Sequence, residues 1–122
     1  MKRVFKQETT RVFRTYRGGY MLERFLGADV ASDSFKPEDW ISSFVEAKNK
    51  NYVEGEGLSR LADSDSFLID VVPSDAFGDG RTDSGVLIKL LDSAERLGIQ
   101  VHPTKEYARR IFNSAYGKTE CW

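Results

Sequence analysis

Two runs near the C-terminal end, GVLIKLL at 85–91 and RLGIQVHP at 96–103, constrain this chain more than any other feature. The first is apolar and strand-like, and the second has its own alternation of side chains between two faces. DSAE at 92–95 is a short connection between them, so the pair predicts an antiparallel hairpin. A single helix through IKLLDSAERL competes with that reading, because those residues also have good helix propensity. Pro103 lacks the N–H that a central strand would donate, and it closes the second run.

Around this centre the punctuation is frequent. TRVFRTY at 10–16 alternates and predicts a strand, and Arg17, Gly18 and Gly19 break it. YMLERFL at 20–26 is spaced as a short helix. KPEDW at 36–40 reads as a helix start, with proline in the first turn and acids behind it. Residues 42–47 fit either the end of that helix or a strand. Residues 48–66 read as loop with at most a short helix at 58–61, and FLIDVV at 67–72 as a buried strand or one face of a short helix. PSDAFGDGRTDSG at 73–85 is a turn-rich stretch of the kind that is often functional. Thr104 suits the N-cap of a helix over KEYARRIFNS, with Tyr107, Ala108 and Ile111 on one face. NSAYG at 113–117 ends it, and KTECW at 118–122 begins another strand.

At 122 residues there is room for one domain. A hydrophobic share of 40% and an aromatic share of 12% are globular values. With 18 basic and 19 acidic residues and no clustered basic excess, the chain is not an electrostatic nucleic-acid binder. No apolar run has the length of a signal peptide's hydrophobic region or a membrane span. Cys121 is the single cysteine, so no internal disulfide forms and a reducing, cytoplasmic setting is expected. With one histidine in the chain and no second to activate the thiol, Cys121 reads as a packing residue.

Gln100 and His102 stand two apart on the second run, which places them on one strand face. Glu120 lies on the next strand-like segment, and Lys118 shares its face by the same rule. An imidazole, a carboxylate and an amide oxygen form a donor set for zinc or another divalent ion, with one position left open. On residue types alone, a lone strand histidine and a surface glutamine are equally well ordinary structural residues.

IQVHP at 99–103 followed by GKTECW at 117–122 resembles the paired signatures of type I phosphomannose isomerases, a family of zinc-dependent cupins. The similarity extends in collinear order through RTYRGG at 14–19, PEDWISSFVEA at 37–47, EGLSRL at 56–61 and GVLIKLLDSAERL at 85–97. It resembles the bacterial branch in which YRGG replaces a tryptophan-glycine-glycine pattern. The resemblance implies a mainly β fold, an incomplete cupin-like jelly-roll β-sandwich with a few short helices. Residues 1–122 would be the N-terminal portion of that catalytic domain. It implies zinc ligands at Gln100, His102 and Glu120, a catalytic lysine at Lys118, and interconversion of mannose 6-phosphate and fructose 6-phosphate. The family's remaining zinc ligand, a downstream histidine, and an active-site arginine have no counterpart in these residues. Weak zinc binding and no measurable turnover are therefore expected of this stretch by itself. Open sheet edges would invite pairing with a second copy. The competing readings are a non-catalytic cupin remnant that binds a sugar phosphate or a protein partner, and a cupin acting on another small substrate.

Overall fold

Glu38 and Trp40 lie two apart on one strand, so their side chains meet, Trp40 Nε1 donating to Glu38 Oε2 at 2.8 Å. The computed structural model describes residues 4–49, 51, 53–73, 75–78 and 80–121. Its sheet has three antiparallel strands in the order β1 (Arg11–Val12), β2 (Glu38–Ile41) and β3 (Ile88–Leu91). Val12 faces Glu38 across β1 and β2, and Glu38 faces Leu91 across β2 and β3. With three short helices and long irregular connections, the described chain is mainly non-helical, a partial β fold as expected.

Glu38, Asp39 and Trp40 of KPEDW lie in β2, and the segment does not start a helix. Its acids find tertiary partners instead of serving a helix N-terminus. Asp39 Oδ1 accepts from Thr10 N at 2.6 Å. Glu38, 2% exposed, is bonded by Trp40 Nε1 at 2.8 Å, Tyr16 Oη at 2.5 Å, Arg14 at 2.9 Å and Lys89 Nζ at 3.2 Å. Burial pushes the Glu38 carboxyl up, but the bonds from Arg14, Tyr16 and Trp40 outweigh it and bring it from 4.5 to about 2. Burial, then the bond to Glu38, raises the Tyr16 phenol above its ordinary 10. Trp40 continues into a small core with Val12 and Ala47, and the Arg14 guanidinium lies 4.9 Å from its ring centre.

Helix α1 (Tyr20–Phe25) forms where the spacing of YMLERFL predicts it. Gly19, at φ 102, makes the entry that a side chain would strain. Glycine has no side chain to cap the helix, and remote carboxylates do so: Asp33 accepts from Tyr20 N at 3.2 Å, and Asp92 Oδ2 from Met21 N at 2.6 Å and Leu22 N at 3.3 Å. Gly18 is needed for space, since a Cβ there would sit 2.0 Å from the Asp92 carbonyl oxygen.

Those bonds also explain why the expected hairpin is absent. Residues 88–91 do form a strand, but it pairs with β2, and 96–103 carry no strand pairing among the described residues. The connection at 92–95 is bonded elsewhere: Asp92 N to Pro37 O at 3.0 Å, Gly19 N to Asp92 O at 2.9 Å and Ala94 N to Arg17 O at 3.0 Å. The chain is thus led past α1 and does not fold back on β3. The competing helix through 88–97 is absent for the same reason.

FLIDVV resolves as a helical turn, α2 (Leu68–Val71), which buries Leu68 and stops at Val72 before Pro73. Residues 58–61 hold a bend and two isolated bridges, not a helix. Helix α3 (Lys105–Phe112) starts as expected, with Thr104 Oγ1 accepting from Tyr107 N at 3.2 Å. It ends at Asn113 in the left-handed conformation. Ala108 is its buried contact, while Tyr107 and Ile111 remain about half exposed. The described part of KTECW carries no strand, and Trp122, like Ser74 and Asp79 of the turn-rich stretch, lies outside the described residues. Among the described residues no helix is long and apolar enough to cross a membrane.

Candidate metal centre

Two segments build the site, and a close backbone contact sets them together. Lys118 N donates to Pro103 O at 3.0 Å, one residue beyond His102. Gly117 permits this approach, because a Cβ there would lie 2.7 Å from Lys105 N and 2.8 Å from Pro103 O. On the other flank Tyr116 Oη donates to Asp83 Oδ1 at 3.0 Å, and the same oxygen accepts from Gly85 N at 2.7 Å. The bond to Asp83 raises the Tyr116 phenol above its ordinary 10. The turn at 83–85 thereby holds the chain two residues before Lys118.

Alternation along 100–102 and 118–120 then turns four side chains to one point. His102 Nε2 lies 3.5 Å from Gln100 Oε1 and 3.6 Å from Glu120 Oε2. Lys118 Nζ donates to Gln100 Oε1 and pairs with Glu120 Oε1, both at 3.1 Å. All four residues expected from the sequence are together. Outward on the same run, Ile99 and Val101 are 93% and 94% exposed, so the polar face is the one the fold engages.

The donor spacing suits a metal. Ligand atoms 2.0–2.2 Å from zinc at tetrahedral angles stand about 3.3–3.6 Å apart, which is the separation of His102 Nε2 from the two oxygens. Among the described residues no three His, Cys, Asp or Glu side chains form a cluster, so the amide oxygen of Gln100 is needed as the third donor. An amide oxygen is a weaker zinc donor than imidazole or thiolate, so a metal held by these residues would be bound with modest affinity. Lys118 and Glu120 also line a groove of about 880 Å3, together with Val86, Ile88 and Lys89. The four-residue cluster therefore lies at the side of a groove large enough for a small ligand.

Parts of the chain are similar to two mannose-6-phosphate isomerases. The probable mannose-6-phosphate isomerase GmuF of Bacillus subtilis (strain 168) is 48% identical over 46 residues, covering 38% of this chain and 14% of that protein. The mannose-6-phosphate isomerase ManA of the same organism is 38% identical over 69 residues, covering 57% of this chain and 20% of that protein. The chain thus spans about a fifth or less of the length of these relatives. No family model matches the chain, and no solved structure matches it.

Gly117, Tyr116 and Asp83 support the site, yet sequence reasoning did not single them out. Gly117 carried a signal in its place before Lys118, but a glycine ending a helix-terminating run has an equally ordinary explanation as a turn residue. Asp83 lies 33 residues from Tyr116 in a stretch crowded with polar residues, and nothing local pairs them.

Proposed function

We propose that this chain carries the metal-binding part of a zinc-dependent mannose-6-phosphate isomerase, with Gln100, His102 and Glu120 as ligands and Lys118 beside them. The observation that carries this reading is the convergence of the four side chains, with His102 Nε2 at ligand spacing from Gln100 and Glu120, in a chain similar in part to two proteins of that name. Aldose–ketose exchange moves a proton between neighbouring carbons and builds negative charge on an oxygen. Zinc, when bound, supplies Lewis-acid stabilisation of that charge. Lys118 presents an ammonium to the groove, where it pairs with a substrate oxygen or phosphate.

Zinc titration of the folded chain, followed by assay of mannose 6-phosphate and fructose 6-phosphate interconversion with zinc or chelator, tests the reading. One zinc per chain, lost in His102→Ala, supports the ligand assignment, and unchanged stoichiometry in that variant overturns it. Zinc-dependent interconversion supports the isomerase. Zinc-dependent binding of hexose 6-phosphate without turnover, in the folded chain, supports a sugar-phosphate-binding module in its place.

A further inference from the structure

We propose that Lys118 is a placeholder cation: its ammonium holds Gln100 and Glu120 while no divalent ion is bound, and metal loading displaces it toward the groove. The inference rests on the zinc-site reading above and adds a competition within it. Nζ contacts two of the three donor residues, each at 3.1 Å. Glu120 is the cluster's one carboxylate, and the Lys118 ammonium paired with it at 3.1 Å offsets its charge. A divalent ion added to that group leaves an excess of positive charge about the single carboxylate.

A metal bonded to Gln100 Oε1 at ~2.1 Å lies within about 5 Å of Nζ as it now stands. Even at the dielectric of water, repulsion between a divalent ion and an ammonium at that separation corresponds to roughly tenfold in affinity. The Lys118 side chain is 48% exposed and lines the groove, so it has somewhere to go. Coupling of this kind is reciprocal: the ammonium weakens the metal by the factor by which the metal weakens the ammonium's hold. Lys118 thereby keeps the donors assembled without metal and enters the groove as a free cation once metal has bound.

Zinc affinity of the chain, Lys118→Met and Lys118→Arg, measured by competition with a chromophoric chelator, tests this together with NMR of the Lys118 Cε–Nζ group. About tenfold tighter zinc binding by Lys118→Met is expected, with Lys118→Arg near the original value and a zinc-dependent shift of the Lys118 resonance. Zinc bound equally or more weakly by Lys118→Met, with the Lys118 resonance unmoved in the original chain, overturns the placeholder while leaving the metal site standing. Failure of all three proteins to bind zinc overturns the metal reading itself, and this inference with it.

Discussion

The backbone N–H of Lys118 donates to the carbonyl of Pro103 at 3.0 Å, and that bond sets the segment carrying Glu120 beside the segment carrying His102. It depends on Gly117, whose place allows no side chain without backbone collision. Gly117→Ala should destabilise the chain by ~1–3 kcal/mol, as overpacking does. Moving the two donor segments apart should also weaken zinc binding, by about tenfold for each ~1.4 kcal/mol lost at the site. Calorimetric zinc titration beside urea denaturation checks this. Full zinc affinity in a destabilised variant would detach the site from the contact.

Glu120→Ala should abolish zinc binding and leave the fold intact. The residue lies outside the sheet and helices, and removing the sole carboxylate donor exceeds the ~10–100-fold loss typical of outer-shell changes. Zinc content after dialysis, with circular dichroism as the control for folding, decides it. Unchanged stoichiometry would remove Glu120 from the ligand set.

Asp92 stabilises α1 from the far end of β3, in place of the cap that Gly19 cannot provide. Asp92→Ala should cost about 1 kcal/mol, the ordinary value of an N-cap, and Asp92→Asn should recover most of it. Denaturant midpoints of the three proteins measure both steps. Equal stability of Asp92→Ala and the original chain would show that the cap contributes nothing.

Glu38 makes stability depend on acid pH. Its carboxyl falls from 4.5 to about 2 on folding, so the unfolded chain binds its proton first. The stabilisation is present above pH 4.5 and disappears as pH falls from 4.5 through about 2. It amounts to about 3 kcal/mol at most. Glu38→Gln should lose this pH dependence and, by leaving Arg14 and Lys89 without their buried partner, cost about 3–5 kcal/mol near neutrality. Unfolding curves at pH 6, 4 and 2.5 for both proteins compare the slopes, and parallel slopes would exclude Glu38 as their source.

Much of the local structure was legible before any coordinates. Thr104 was a helix start because its hydroxyl reaches an N–H three residues on, and Gly19 a break in the chain because it tolerates positive φ. The pairing of Gln100 with His102, and of Lys118 with Glu120, followed from the period of two. These signals act over two to four residues, and sequence carries them in full.

Tertiary structure decided the rest. KPEDW has the residues of a helix start, yet Arg14, Tyr16 and Lys89 draw Glu38 into a strand from 22 to 51 positions away. The two runs flanking DSAE have the form of a hairpin, but backbone bonds to Arg17, Gly19 and Pro37 claim the connection between them. The candidate residues Gln100, His102, Lys118 and Glu120 could be chosen from the sequence, while their meeting depended on Gly117 lying against Pro103. Long-range hydrogen bonds and the exclusion of a single Cβ made these choices, and neither leaves a trace in residues adjacent along the chain.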